Sequence, residues 1–353
     1  WTSSSTSINT VKPDNSHNLL AFTWNGTTYS TGVDDALLTT QGVTFSSGNF
    51  RAFPVNSVPN TAGGSYFVML GQLYDGLNGA VDNSTTAPFS STPTGAELAA
   101  FLTDGKKGLD LGTGLANIPA GSSIRFNLST NGITAGAIND GIPDILISQL
   151  ASPTSTSPDY LKFVDVNGNT VGNVVSITTS SLPVLGNWMA DFYNLNSTQT
   201  TSSFINSSRP IAFYATDLST FGITAANYSS VVALVYQPNG TSDPGFIAFN
   251  EPAISVATRL SLLSQPTQYQ TAVTLASPIT VQVEDGLGQA ILQSGIPVTV
   301  SLQSGTASLG GTLTELTDAS GIATFSNISI TGSTTVKLSF SSASLDPAIS
   351  ADL

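Results

Sequence analysis

Two short acidic segments have the residue types and spacing of calcium-binding loops. Asp140 and Asp144 place two carboxylates around a Gly-Ile-Pro turn. The run Asp165-Val-Asn-Gly-Asn169 offers side-chain oxygens at alternate positions, as loops for hard cations do. A complete loop of that kind would also need a central Gly and a final bidentate Glu, and neither stands at the required position. Ordinary turn chemistry is the favoured interpretation. We therefore predict no cofactor. If a structural calcium ion binds, its candidate ligands are Asp140 and Asp144 in the first segment, or Asp165 and Asn167 in the second.

Aromatic side chains near Asn and Asp could bind a glycan. Jelly-roll modules commonly hold sugars with exposed rings and polar hydrogen bonds, and the candidate rings here are Trp24, Trp188 and Tyr193. A glycosidase would also need two carboxylates across a cleft. Asp191 would be the first choice, but no recognisable motif pairs it with a second carboxylate. We therefore predict that the protein is not an enzyme, and core packing of these aromatics is the alternative to glycan binding.

Several residue types that carry catalysis are missing or rare. The chain has no Cys and one His, which excludes a thiolate nucleophile, a Cys/His zinc site and disulfide bonds. His17 has no Gly-x-Ser-x-Gly elbow beside it, so we interpret it as a solvated loop residue. The formal net charge of -13 would repel a phosphate backbone, so nucleic acid is not an expected partner. No apolar run is long enough to span a bilayer, and we predict no membrane insertion.

The N-terminal segment has the composition of a strand that a neighbouring subunit could receive. Trp1-Thr-Ser-Ser-Ser-Thr-Ser-Ile-Asn-Thr-Val11 is uncharged and rich in Ser and Thr. Such a segment can be a disordered tail, or it can add to a sheet edge with Trp1, Ile8 and Val11 as pocket anchors. Lys, which usually blocks exposed sheet edges, is nearly absent from the candidate edges. The segment therefore favours self-association into a homopolymer.

Strands must position all of these residues, because the composition disfavours helices. Only 9% of the 353 residues are charged, so typical helix-surface residues are scarce, whereas Thr, Val, Ile and aromatics are abundant. Short alternating segments separated by turns run along almost the whole chain. One short helix is predicted over 96–102, with Thr94 as its cap. We predict an all-β chain of two domains, with residues 1–255 forming a large jelly-roll-like β-sandwich that includes an N-terminal strand or tail.

Three of the Asn-Gly pairs in this first part are interpreted as turns. Asn25-Gly26 lies within a strand signal that runs from Leu19 to Tyr29. Asn167-Gly168 joins two strongly alternating runs and predicts a hairpin with a type I′ turn, which needs positive φ at both central residues. Asn239-Gly240 predicts the same turn.

The spacing of the predicted strands changes near residue 255. From there a strand is predicted about every eight to twelve residues, which is the rhythm of an immunoglobulin-like sandwich. The segments in question are Pro278-Ile-Thr-Val-Gln-Val with Asp285-Gly-Leu-Gly288, Pro297-Val-Thr-Val-Ser-Leu, Leu309-Gly-Gly-Thr312 and Asp318-Ala-Ser-Gly-Ile-Ala-Thr-Phe325. They resemble the bacterial Ig-like domains found in tandem on surface adhesins of the invasin/intimin type. The resemblance implies that residues 256–353 are an Ig-like domain serving as a stalk or spacer.

The first part of the chain resembles N-terminal modules of Bacteroidota surface proteins secreted by the type IX route. The segments that carry this likeness are Phe22-Thr-Trp-Asn-Gly-Thr-Thr-Tyr29, Gly108-Leu-Asp-Leu-Gly-Thr-Gly114, Asp140-Gly-Ile-Pro-Asp-Ile-Leu-Ile-Ser-Gln149, Phe163-Val-Asp-Val-Asn-Gly-Asn169 and Asn187-Trp-Met-Ala-Asp-Phe-Tyr193. The chain opens at Trp1 with no charged and apolar leader before it, which fits either an export signal that has been removed or a chain that has been trimmed. The expected location is therefore extracellular, at a bacterial cell surface.

Three functions remain open on these observations. The leading prediction is a non-enzymatic structural or adhesion protein, a self-assembling filament or coat subunit that uses strand addition between subunits. The alternative is an adhesin whose N-terminal domain binds surface glycans. The third is a polysaccharide-degrading enzyme with an Ig-like spacer.

Overall fold

A computed structural model describes residues 1–4, 17–60, 66–74, 87–130, 132–195, 200–265, 268–332, 335–342 and 345–353. The chain divides into two compact units. The first unit comprises Trp1–Asn127 and Ile133–Ile254, and the second comprises Leu128–Gly132 and Ser255–Leu353. The division at 254/255 lies next to the boundary expected from the sequence. The assignment of 128–132 to the second unit was not expected.

Strands dominate the first unit, as the composition predicts. In chain order they are β1 Thr2–Ser3, β2 Leu19–Trp24, β3 Thr27–Ser30, β4 Phe50–Ala52, β5 Phe67–Tyr74, β6 Thr113–Ala116, β7 Ile124–Asn127, β8 Ile145–Gln149, β9 Asp159–Val164, β10 Thr170–Ile177, β11 Gly186–Leu195, β12 Thr200–Thr216, β13 Ala233–Gln237 and β14 Ile247–Asn250. They form three sheets, in the orders β1-β2-β3, β10-β9-β13-β7 and β4-β14-β8-β12-β11-β5-β6. The prediction of an all-β fold is confirmed.

The large sheet provides much of the core of this unit. Its strand β8 is buried along its whole length, which explains its nearly continuous apolar sequence. The central strand β11 also buries residues on both faces. The 17-residue strand β12 pairs with β11 over its first part and with β8 from Ala212 to Thr216. As a result, the other edge of residues 200–210 has no strand partner among the described residues.

Helices in the first unit are short and locally capped. α1 (Asp35–Thr40) begins after Asp34, whose side chain accepts the Leu37 amide. α2 (Gly95–Ala99) has a capping box between Thr94 and Glu97, and a 3₁₀ turn continues it through Leu102. The predicted helix near 96–102 is therefore present. The described 3₁₀ segments are Ala100–Leu102, Lys106–Gly108, Ala135–Ala137, Thr179–Ser181, Leu218–Phe221 and Tyr228–Ser230.

The second unit is an all-β arrangement around its own core. Its strands are β15 Arg259–Ser264, β16 Ile279–Glu284, β17 Pro297–Ser304, β18 Ser308–Gly310, β19 Thr314–Leu316, β20 Ile322–Phe325, β21 Ser329–Thr331, β22 Lys337–Ser342 and β23 Leu345–Ile349. Seven of them follow the order β19-β17-β22-β23-β15-β16-β20, and β18 pairs with β21. Alternating apolar residues of β16, β17 and β22 fill the core.

One turn motif, Asp-x-x-Gly, recurs in both units. Asp165, Asp285 and Asp318 each accept the main-chain amides two and four residues ahead with Oδ1. The Gly at the fourth position has positive φ in all three turns. The prediction of a type I′ turn at Asn167-Gly168 is wrong, because Asn167 does not have positive φ and the Asp165 carboxylate organises a longer loop instead.

The type I′ geometry occurs at Asn25-Gly26. There both central residues have positive φ, and Trp24 pairs with Thr27 across the β2–β3 hairpin. At Asn239-Gly240 only the Gly has positive φ, and the turn joins no strand pair, so that prediction is also wrong.

Candidate functional sites

The N-terminal strand lies on an edge of the three-stranded sheet. β1 pairs antiparallel with β2, with Thr2 opposite Ala21 and Ser3 opposite Leu19. The next residue extends the pairing, because the Ser4 amide donates to the Asn18 carbonyl at 2.9 Å. β1 therefore adds to a sheet edge of its own chain, and the predicted addition to a neighbouring subunit stays a prediction.

The Trp1 side chain attaches this strand to residues outside the three-stranded sheet. Its indole Nε1 donates to the Leu185 carbonyl at 3.1 Å, and its ring meets Phe213 edge to face with centroids 6.4 Å apart. Such a ring pair contributes about 0.5–1.5 kcal/mol beyond the burial of its area. Gly186 leaves room for the ring, since a Cβ at that position would lie 3.0 Å from it. The predicted anchors Ile8 and Val11 lie outside the described residues.

The aromatic candidates for glycan binding are mostly in the core. Trp188 is 0% exposed, and its indole N–H donates to the Leu150 carbonyl. Tyr193 is 2% exposed. Both predictions are wrong, because a sugar cannot stack on a ring that the sheet has buried; core packing, the alternative interpretation, describes them. Trp24 is half-buried beside the β2–β3 turn.

Asp191 is buried where β11 pairs with β12. Its Oδ1 accepts the Asn206 amide at 2.8 Å. Asn206 has positive φ, and the pairing of β11 with β12 shifts register on both sides of Phe192. The carboxylate therefore holds a bulged segment of β12 in place.

A buried polar network connects β9, β13 and the segment before β14. Asp159 accepts the hydroxyl of Tyr236 at 2.6 Å, the hydroxyl of Ser242 and the amide of Asn239. The neighbouring Asp243 is 4% exposed and accepts the Asn117 amide at 3.0 Å.

Both acids of this network are shifted towards the protonated form. Burial raises the pKa of Asp243 to about 7, with a further increase from the charge of Asp159. The Asn117 amide and the positive charge of Arg209 oppose that rise. Burial likewise raises the pKa of Asp159.

Asp144 directly precedes β8 and lies between the end of β12 and the end of β14. Its Oδ2 accepts the Leu218 amide at 2.9 Å, while its Oδ1 is buried and makes no hydrogen bond within the described part of the chain. Burial raises the pKa of Asp144 to about 8, and the charges of Asp217 and Asp140 raise it further against the effect of the Leu218 amide. Asp140 is exposed, and its Oδ1 accepts the Ile142 amide at 2.8 Å.

The other calcium candidates belong to a turn. Asp165 uses Oδ1 for the amides of Asn167 and Asn169 and Oδ2 for the Asn169 side chain. These hydrogen bonds lower the pKa of Asp165. Asp285 and Asp318 in the second unit hold their turns with the same amide contacts, so turn formation accounts for Asp165 and Asn167 without an ion.

Two further polar residues, His17 and Glu251, are buried in the first unit. His17 is 0% exposed rather than solvated, and its amide donates to Asp110 Oδ2 at 2.9 Å. Glu251 is also buried and pairs with two cations, Arg51 at 2.9 Å and Lys107 at 3.1 Å. These partners are distant in sequence, so local motifs could not reveal them.

The described residues contain no group of three or more His, Cys, Asp or Glu side chains placed to hold a metal ion. Every described helix falls short of the length and apolarity needed to cross a membrane. The sequence matches no protein-family model. It is also similar to no curated protein sequence.

Among solved structures, the chain is similar to the crystal structure of a beta-1,2-glucanase from Parabacteroides distasonis, at 9% identity and a TM-score of 0.24. The match covers 86% of this chain and 38% of the glucanase chain. A likeness at this level carries no inference about activity.

Proposed function

We propose that this chain is a secreted, non-enzymatic structural subunit of a bacterial cell surface. In this proposal, copies of the chain join into a filament or coat by exchanging the N-terminal strand β1. The second unit acts as a stalk or spacer between the assembling parts. A glycan-binding role is less well supported, because two of its three candidate rings are buried.

The observation that carries the proposal is the way in which β1 is held. The contacts of β1 with the rest of the first unit include its two paired residues, the hydrogen bond from the Ser4 amide and the half-buried Trp1 side chain. The Ser4 hydroxyl also accepts the Asn18 amide at 3.1 Å. The edge of β2 and the contacts at Leu185 and Phe213 would be the same if β1 came from another copy. Exchange of β1 between copies therefore needs no new contacts, and a higher protein concentration would favour linked oligomers over monomers.

The open edge of β12 is a less suitable site for strand addition. Residues 201–210 are mostly exposed and include the apolar side chains of Phe204 and Ile205. However, register shifts with β11 interrupt this stretch, and Asn206 adopts positive φ within it. Bulges of this kind twist an edge away from further strand pairing.

A cysteine cross-link can distinguish exchange from pairing within one chain. The chain has no Cys, so the double variant Thr2→Cys with Ala21→Cys introduces the only thiols, at positions that face each other in the β1–β2 pair. Under oxidising conditions, we expect a ladder of disulfide-linked oligomers on non-reducing gels that grows with protein concentration.

The matched control is the double variant Thr23→Cys with Thr28→Cys. These residues pair within the β2–β3 hairpin, where their hydroxyl oxygens are 3.0 Å apart. This variant should cross-link only within one chain at every concentration. The proposal is refuted if Thr2→Cys with Ala21→Cys also remains monomeric and the unmodified protein sediments as a monomer.

A further inference from the structure

Three buried side-chain oxygens near one end of the large sheet have no hydrogen-bond donor. They are Oδ1 of Asp144, Oδ2 of Asp217 and Oδ1 of Asn250, and none has a partner among the described residues. The three residues are 0%, 6% and 5% exposed. Buried acceptors are normally satisfied, and leaving one without a donor destabilises the fold, more so when the group is charged.

The ends of three adjacent strands bring these residues together. Asn250 ends β14, and its amide donates to the Asp144 carbonyl at 2.9 Å. Asp217 follows β12, and the carbonyl of its neighbour Thr216 accepts the Asp144 amide at 2.9 Å. Asp144 thus has main-chain bonds to both flanking strands.

Each carboxylate has one oxygen fixed by amides and one oxygen bare. For Asp144, the fixed oxygen is Oδ2, which accepts the Leu218 amide. For Asp217, Oδ1 accepts the amides of Asn139 at 3.1 Å and Ser219 at 2.6 Å. The main chain therefore orients both groups and leaves one acceptor of each unused.

The negative charge of this pair of acids is not balanced by an ion pair in the part of the chain that the structure describes. Within the described ranges, neither Asp144 nor Asp217 forms an ion pair with Lys or Arg. The negative charges of Asp217 and Asp140 raise the pKa of Asp144, so the charged groups that act on this carboxyl have the same sign as its own ionised form. Bare, buried and uncompensated carboxylate oxygens are the ligands that a hard cation prefers.

We propose that Asp144 and Asp217, with the side-chain oxygen of Asn250 beside them, form a binding site for a divalent hard cation, and that Ca²⁺ is its ligand. Ca²⁺ takes about six to eight oxygens in flexible geometry, so main-chain carbonyls and water complete the shell. With two carboxylates and one amide from side chains, the affinity falls in the range of extracellular modules, with a Kd of about 10⁻⁴–10⁻³ M. The site does not depend on the proposed assembly function.

The test is calcium titration of the whole protein after treatment with a chelator. Isothermal titration with CaCl₂ should show one site, and a calcium concentration about 100 times Kd should raise the melting temperature by about 5–10 °C. Asp144→Asn and Asp217→Asn should each abolish both responses. Both variants keep the side-chain volume and remove a buried charge, so they should fold without calcium.

Asp165→Asn is the matched control, because it removes one carboxylate from a turn in the same unit. Its calcium response should equal that of the unmodified protein. The proposal fails if the unmodified protein shows no binding at millimolar CaCl₂. It also fails if Asp144→Asn retains the rise in melting temperature, or if Asp165→Asn loses it.

Discussion

The buried carboxyl of Asp243 makes the unfolding free energy of the first unit depend on pH. Replacing Asp243 with Asn should remove this contribution. Burial and the charge of Asp159 raise the pKa of Asp243 from 3.8 to about 7. The groups that act on it are Asp159 and Arg209, and the buried Tyr236 lies on the same network. Because the pKa is raised on folding, the stabilising contribution is complete below about pH 3.8 and is lost as the pH rises through about 7.

The size of the effect follows from the two pKa values. The interval from 3.8 to about 7, at about 1.4 kcal/mol per pH unit, amounts to about 4 kcal/mol of unfolding free energy. Asn keeps the oxygen that accepts the Asn117 amide and cannot lose a proton. The raised pKa values of Asp159 and Asp144 give slopes of the same sign, and those slopes should persist in the variant.

Tryptophan fluorescence provides an assay specific to the first unit, because the three Trp residues, Trp1, Trp24 and Trp188, all lie in it. Denaturant unfolding should be followed at several pH values from about 4 to 8, with calcium chelated. The unmodified protein should lose about 4 kcal/mol more than Asp243→Asn over this range.

The matched control for this assay is Asp165→Asn. It makes the same change in net charge at an exposed acid whose pKa is lowered rather than raised. It should therefore retain the slope of the unmodified protein between pH 5 and 8. Equal slopes for Asp243→Asn and the unmodified protein would refute the reasoning.

Three further substitutions test the packing of the first unit by the same fluorescence assay. Glu251→Gln weakens a buried group shared by two cations and should cost about 2–3 kcal/mol. Gly71→Ala places a Cβ 2.0 Å from the Met189 carbonyl oxygen and should cost about 3 kcal/mol or prevent folding, whereas Gly136→Ala, with nothing within 4 Å, should change stability by less than about 0.5 kcal/mol. Trp188→Phe loses volume and a buried N–H donor and should cost about 2–3 kcal/mol, measured from the remaining Trp signal. Costs below about 0.5 kcal/mol for Glu251→Gln, Gly71→Ala or Trp188→Phe would contradict these assignments.

The sequence predicted the fold class because period-two alternation and turn residues are local signals. Thr94 likewise predicted a helix cap that the structure contains, and Glu97 completes a capping box that was not predicted. The turn at Asp165 was located correctly but assigned the wrong type, since the pair Asn-Gly was weighed without the carboxylate two residues earlier. Side-chain capping of a turn therefore has to be considered together with its central pair.

The candidate site residues were harder to predict, because burial of both faces of a strand depends on what covers the sheet. Trp188 and Tyr193 stand on opposite faces of β11, and both are in the core. Asp144 was a candidate from its local motif, but its partner Asp217 is 73 positions further along the chain and joins it only through the pairing of β8 with β12. Contacts at such separation leave no spacing to detect in a single sequence.

The parallel pairing of β15 with β23 has a mechanical consequence for the second unit. Arg259 in the first of these strands lies opposite Asp346 in the last, and the Asp346 amide donates to the Thr258 carbonyl at 2.9 Å. Tension applied between the two ends of this unit would pull the strands past each other along their length. The bonds between them would then be loaded in shear and would have to break together, whereas an antiparallel terminal hairpin would unzip one bond at a time.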